Sequence, residues 1–313
     1  MIISKNIQQK LLCPSRKSKL KKNDKYLESV IDSSIRYPII DGIPILIVNE
    51  KSIFSIEDFI NKRNTTFDLN PNTSNKFIRK LIPDIGVNIK AKENYDKIAT
   101  MLPTNSKILV IGGSVKGEGM DSIYNNESFE IIGSDVSFGK YTKIICDVHD
   151  IPFEDNTFDC VIIQAVLEHV LDPQRSVSEV HRVLKPFGIV YAETPFMQQV
   201  HMKQHDFTRF THLGHRWLFK NFEEIMSAPC CGPGMAMAWS YTYFLRSFTS
   251  SQAIGRLLTL FAYMTSFFFK YFDYYLIDKP GSYDAASGYY FLGRKSENTL
   301  LDKELIKQFK GLK

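Results

Sequence analysis

The run Lys107-Ile-Leu-Val-Ile-Gly112-Gly113-Ser-Val-Lys-Gly117-Glu-Gly119 decides how the rest of the chain is read. Its opening residues are almost continuously apolar, the pattern of a strand buried on both faces of a parallel sheet. The glycines follow at the carboxyl end, where they let the backbone turn sharply and approach a ligand with no side chain between. Alone, such a loop serves equally well as a plain turn.

Downstream, the pattern repeats. Strand-like runs occur at 129–135, 143–147, 158–165 and 188–193, and helical patterns at about 119–126 and 173–184 supply crossovers. This alternation predicts an open, doubly wound α/β sheet. A further helix is expected at 214–226, and Gly288-Tyr-Tyr-Phe-Leu-Gly-Arg294 reads as a last strand that gives the sheet an antiparallel edge. Upstream, helical patterns lie at about 75–82 and 90–102, and the polar, Asn-rich stretch 52–74 reads as a linker with a short helix near 55–62. Residues 1–50 read as a unit of their own, with Asp41-Gly42 turning between two short apolar runs. The expected division is 1–50, a linker with short helices over 51–87, a main domain over 88–296 with an aromatic helical insertion near 240–280, and a C-terminal helix or tail over 297–313.

Composition narrows the setting. Of 313 residues, 44% are hydrophobic and 23% charged, which is ordinary for a globular chain. The net charge of +5 is modest, and six Lys or Arg residues fall within Arg16–Lys25. A solvated tail, or a weak contact with anionic membrane, accounts for that run better than nucleic acid does. Five cysteines (Cys13, Cys146, Cys160, Cys230, Cys231) show no pairing framework. The N-terminus lacks the apolar core of a secretory leader. A cytoplasmic setting is expected. The aromatic stretch 253–277 has a longest uncharged run of 13 residues, Leu257–Phe269, short of the roughly 20 needed to span a bilayer. A buried helix, or one lying in a membrane interface, stays open.

Two more strand ends carry acids. Asp135 closes Ile131-Ile-Gly-Ser-Asp135, 22 residues after Gly113, close to the spacing at which a carboxylate takes ribose hydroxyls. Asp147 closes the next, placed to accept from an adenine amino group while the N–H of Val148 donates to the ring.

Asp147–Asp159 (Asp-Val-His-Asp-Ile-Pro-Phe-Glu-Asp-Asn-Thr-Phe-Asp), then Val166-Leu-Glu-His-Val170 and Glu179-Val-His-Arg-Val-Leu-Lys-Pro-Phe-Gly188, resemble the class I S-adenosylmethionine-dependent methyltransferases typified by quinone and small-molecule methylases. The resemblance is close over about 107–195 and looser to 296. It implies a Rossmann-like seven-stranded sheet and an enzyme using S-adenosylmethionine. Gly112, Gly113 and Gly117 would then meet the methionine part, Asp135 the ribose, and Asp147 and Val148 the adenine. Gln164, ending the fourth strand, would line the pocket. One departure stands out: the acid usually found two places before the first glycine is Val110 here. Glu118 is the candidate substitute. The glycine spacing also departs from the dinucleotide fingerprint of oxidoreductases.

Methyl transfer is an in-line displacement, so the enzyme aligns two partners and, for a hydroxyl acceptor, removes a proton. Pro195–Thr211 offers His201, His205, Asp206 and Arg209, and resembles an H-x-x-x-H-D-[FY]-x-R-[FY]-T segment of methyltransferases found near surface-polysaccharide genes. His201 or His205 is the expected base, oriented by Asp206 or Glu168. Against this stand a structural histidine pair, with Asp206–Arg209 pinning the loop, and a metal site, for which spacing fixes no third ligand; no metal is expected. The expected acceptor is a hydroxyl on a glycan or a lipid-linked precursor, with peripheral membrane contact through 253–277 and no nucleic acid. The rivals are an inactive methyltransferase-fold binding module and a quinone or small-molecule C- or O-methyltransferase. Finally, Leu11-Leu-Cys-Pro and Tyr37-Pro-Ile-Ile-Asp-Gly-Ile-Pro resemble the small zinc ribbons that accompany methyltransferases. Only Cys13 of the four ligand positions is a cysteine, the others being Arg16, Val30 and Ser33, so a metal-free relic is expected.

Overall fold

The computed structural model describes residues 1–66 and 82–313. The helix expected at about 75–82 lies almost wholly outside the described residues. The N-terminal part holds α1 (Lys5–Gln9), strands β1 (Leu20–Lys22), β2 (Tyr26–Ser29), β3 (Arg36–Ile40) and β4 (Ile43–Leu46), then α2 (Ile56–Ile60). The main domain runs α3 (Ala91–Met101), β5 (Lys107–Ile111), α4 (Asp121–Tyr124), β6 (Glu130–Asp135), β7 (Thr142–Cys146), β8 (Phe158–Gln164), α5 (Pro173–Val183) and β9 (Leu184–Pro195). It continues through α6 (His212–Leu218), β10 (Phe222–Cys231), α7 (Pro233–Arg246), α8 (Gln252–Ser266), α9 (Phe269–Leu276), α10 (Pro280–Ala285), β11 (Gly288–Lys295) and α11 (Asp302–Ile306).

One sheet of 11 strands runs through the molecule in the order β1-β2-β3-β4-β7-β6-β5-β8-β9-β11-β10. From β4 to β9 neighbouring strands are parallel, while β11 is antiparallel to both β9 and β10. The seven strands β5–β11 are the expected Rossmann-like set, with the antiparallel strand one place in from the edge. Alternate residues of the central strands point to opposite faces. Leu109, Ile111, Val161 and Ile163 meet α5 through Val177 and Val180 on one side. Ile108, Val110, Cys160 and Ile162 meet Tyr95 and Ile98 of α3 on the other. Helix α5 starts where Asp172 accepts from the Arg175 N–H and Pro173 occupies the first turn, a site where its missing N–H costs nothing.

Three expectations change. The helix expected at 214–226 ends at Leu218, and residues 222–231 form β10. Residues 1–50 join the main sheet, because β4 pairs in parallel with β7 (Ile45 with Ile145, Leu46 with Cys146). The basic run is no solvated tail: β1 forms within it, Lys17 pairs with Glu179 at 3.1 Å, and Lys19 pairs with Glu154. The aromatic stretch forms α8 and α9, and among the described residues no helix is long and apolar enough to cross a membrane.

Candidate active site

A cleft of about 700 Å³ opens at the carboxyl ends of the parallel strands. It gathers Gly112, Gly117, Asp135, Asp147, Val148 and Gln164, six of the seven residues expected to hold the cofactor. Gly112 adopts φ +73°, and a Cβ there would lie 2.4 Å from the Val166 side chain. Gly117 lies so close over Gln164 that a Cβ would fall 1.8 Å from its Oε1. Gly113 is the exception. It lies beneath the loop, its N–H donating to the Ser134 carbonyl at 2.9 Å, and a Cβ would meet Gly133 at 3.0 Å. Its smallness serves strand packing.

Asp135 ends β6 and accepts from the Ser114 N–H at 3.0 Å. Burial pushes its carboxyl above the ordinary range, against hydrogen bonds from Ser114 and the following backbone. Asp147 is more fully engaged. One oxygen takes both the N–H and Nδ1 of His149 (3.0 and 2.6 Å), and the other accepts from the Ser52 hydroxyl at 2.6 Å. Burial would raise its carboxyl, yet these bonds outweigh it and hold the group below its usual value. Asp147 thus fixes the turn after β7, with lone-pair capacity remaining on the oxygen bound by Ser52.

Val110 lies in the cleft wall, with no acid at that position. Two glutamates face the same space: Glu118, exposed in the loop, and Glu193 near the end of β9. Glu193 accepts from the Tyr191 hydroxyl, from Asn88 at 2.8 Å and from Gln164 at 2.9 Å. Desolvation nevertheless raises its carboxyl. Sequence reading missed Glu193 as a site residue, although an acid closing an apolar strand was the signal that found Asp135 and Asp147. Ala165 was missed as well. It takes φ +53° just past β8 and lines the cleft, a conformation costly for a residue with a Cβ.

The two candidate bases separate. His201 lines the cleft; its N–H donates to Asp206 at 2.9 Å, and its Nδ1 lies 3.2 Å from the Gln199 carbonyl and 3.4 Å from Asp206. His205 lies outside the cleft lining and stacks on Phe54, ring centres 5.7 Å apart, while its carbonyl holds Nδ1 of His169 at 2.7 Å. Asp206 pairs with Arg209 through both oxygens. Burial raises the Asp206 carboxyl, but Arg209 overrides it and keeps the group ionised, far below the normal carboxylate range. Arg209 also donates to the carbonyls of Gln198 and Gln199, pinning the loop.

Glu168 completes the group. It is fully buried, and desolvation lifts its carboxyl to about 8. Beside it His169 is pushed down to about 4, chiefly by burial, and so is neutral at pH 7. Nε2 of His169 and Nε2 of His201 lie 3.6 and 4.0 Å from the Glu168 carboxyl. The ligand atoms of Glu168, His169 and His201 lie within 4.8 Å of one another, so among the described residues these three, not His201 with His205 and Asp206, are the set that could hold an ion.

Residues 117–192 match the family of methyltransferase domains. The chain is 40% identical over 50 residues to a ubiquinone/menaquinone biosynthesis C-methyltransferase (UbiE) of Haemophilus ducreyi, covering 16% of this chain and 19% of that one. It is 30% identical over 94 residues to the UbiE of Cellvibrio japonicus, covering 29% and 34%. The matches therefore span only about a third or less of these relatives. Among solved structures, Haemonchus contortus phosphoethanolamine N-methyltransferase 2 in complex with S-adenosyl-L-methionine is similar at 15% identity and TM-score 0.45, over 81% of this chain and 62% of that one. Residues 117–192 thus resemble a methyltransferase domain, and they lie within a Rossmann-like sheet.

Proposed function

We propose that this protein methylates a hydroxyl of a glycan or of a lipid-linked precursor, with His201 as the base. The observation that carries the reading is the convergence of Gly112, Asp135, Gln164 and His201 on one cleft. The residues suit the cofactor. Gly112 turns the backbone at the cleft wall, where a Cβ would strike Val166, and the buried Ser114 hydroxyl beside Asp135 has no partner among the described residues. Asp135 would hold the ribose, Asp147 and Val148 the adenine, and Glu118 or Glu193 would face the amino group in place of the acid absent at Val110. When bound, S-adenosylmethionine supplies an electrophilic methyl group.

The chain supplies alignment and proton removal. With Nδ1 of His201 directed at the Gln199 carbonyl and Asp206, its proton belongs on Nδ1, which leaves the Nε2 lone pair for the acceptor's proton. The ionised Asp206 then stabilises the imidazolium. Glu168 is protonated at neutral pH and does not compete as a second anion.

Calorimetry with S-adenosylmethionine tests the cofactor: heat from the full chain and a much weaker response from Asp135→Ala are expected. No heat at millimolar ligand in a folded sample favours the inactive module. With a radiolabelled methyl group and lipid-linked glycan acceptors, His201→Ala should lose ~100-fold or more in kcat, while His205→Ala loses well under ~10-fold. A ring-methylated quinone as product would replace the hydroxyl reading with the quinone one. We also read residues 1–50 as a zinc-ribbon-like module lacking its metal set. In support, the Ser18 and Ser29 hydroxyls bring the two expected ligand loops within 2.8 Å, and the Cys13 thiol contacts the Ser15 and Tyr37 hydroxyls.

A further inference from the structure

We infer that α7, α8 and α9 form a docking face for an anionic lipid surface. In α8 the usual amphipathic arrangement is inverted. Gly255, Ala262 and Ser266 are the buried positions, while Ile254, Leu257, Phe261 and Met264 are exposed, Leu257 at 66% and Phe261 at 54%. Those four recur at intervals of three and four residues, so they form one stripe along the helix. Phe268, Tyr271, Phe272 and Tyr275 extend the exposed apolar surface along α9, and Phe244 and Phe248 at the end of α7 add to it. Exposed apolar surface on this scale is rare on a monomer that meets only water.

Charge identifies the occupant. Between Phe244 and Ile277 the charged residues are Arg246, Arg256, Lys270 and Asp273. The one acid, Asp273, is fully buried and occupied at the start of α7, so the charge this face presents is cationic. Apolar side chains between cations, with tyrosines whose hydroxyls reach the headgroup level, fit a helix pair lying in an interface. The helices are too short to span, so the protein would lie on the membrane. The same α7 that leads to this face begins at the cleft, where Met235 lines the wall, and its Trp239 ring lies 6.3 Å from that of His201. The docking stands apart from the methyl-transfer reading; only its consequence, an acceptor drawn from the membrane plane, rests on it.

The test is flotation of the full chain with two kinds of vesicle, pure phosphatidylcholine and a mixture containing about one-third phosphatidylglycerol, without S-adenosylmethionine. Binding to the anionic vesicles at least ~10-fold tighter than to the neutral ones is expected, weakening in high salt. Leu257→Ser/Phe261→Ser should abolish it without lowering the thermal midpoint, because those side chains contact solvent. Arg256→Glu should weaken the anionic preference while leaving the fold intact. No binding to either vesicle by folded protein overturns the inference. So does a concentration-dependent dimer that Leu257→Ser/Phe261→Ser dissociates, since a second copy would then be the occupant. Cofactor binding without vesicle binding would sink this inference alone and leave the methyl-transfer reading standing.

Discussion

The carboxyl of Glu168 sits where neither oxygen reaches solvent or finds a hydrogen-bond donor among the described residues. Its pKa rises from 4.5 to about 8 because burial disfavours the charged form. A raised folded-state value means that the native protein holds this proton more tightly than the unfolded chain. The associated stability is fully present below about pH 4.5 and is lost as pH climbs to about 8, at up to ~1.4 kcal/mol per unit. Glu168→Gln keeps the shape and removes the titration. Its melting temperature relative to the parent should therefore rise steadily between about pH 5 and 8 and level off beyond. A constant difference across that range would show that Glu168 is ionised throughout. At this scale the sequence was informative wherever a residue's position along a strand fixed its place. Gly112, Asp135, Asp147 and Gln164 all follow from lying at or just beyond strand ends, and all reach the cleft. His201 and His205 could not be told apart, because His205 ends the irregular turn Lys203–His205 and no periodicity says which imidazole faces inward.

Elements were legible where burial alone shapes them. The apolar runs of β5 and β8 pack on both faces, so period and length suffice to identify them. β10 was misread because Leu218, Phe222, Ile225 and Met226 are spaced like one face of a helix. Pairing with β11 decides the outcome: Phe222 lies opposite Lys295, and a bulge between Glu224 and Met226 shifts the register. Asn221, in the turn before it, was the local signal for a break. The start of α7 shows a similar long-range dependence. Gly232 and Gly234 let α9 come so close that a Cβ on Gly234 would stand 2.1 Å from the Phe269 carbonyl. Into that gap Asp273 sends both oxygens, accepting from the Gly234 and Met235 N–H groups at 2.6 and 2.8 Å. A helix begins with unsatisfied donors, and here the cap comes from a neighbouring helix 39 residues away. Asp273→Ala should cost ~2 kcal/mol in thermal or urea unfolding, since two buried donors lose their acceptor. Asp273→Asn, keeping one acceptor oxygen, should cost about half as much. Equal, negligible losses would mean that water fills the gap.

For the whole molecule, the N-terminal residues are where a boundary drawn from sequence departs most from the packing. Composition sets 1–50 apart, because a basic hairpin followed by a polar linker looks self-contained, and no local pattern reveals that β4 pairs with a strand a hundred residues away. Yet Ile7, Leu11, Cys13, Leu27 and Leu46 belong to the same core as Leu109, Val161 and Val190. The Leu12 N–H donates to the Pro152 carbonyl at 3.0 Å, and Ser52 reaches the cleft acid Asp147. Removing residues 1–50 would strip the partner from β7 and expose a buried parallel strand edge, a template for aggregation. A chain beginning at residue 51 should therefore be insoluble, or melt at least ~10 °C lower and bind S-adenosylmethionine more weakly, as measured by calorimetry on whatever fraction stays folded. Ser52→Ala in the full chain isolates the second effect. It should leave the sheet intact and cost only a few-fold in cofactor affinity, because Asp147 keeps His149 but loses one of its anchors. A truncated protein that stays soluble, melts like the parent and binds the cofactor equally well would restore the first fifty residues to an independent module. The edge pairing of β4 with β7 would then be worth little.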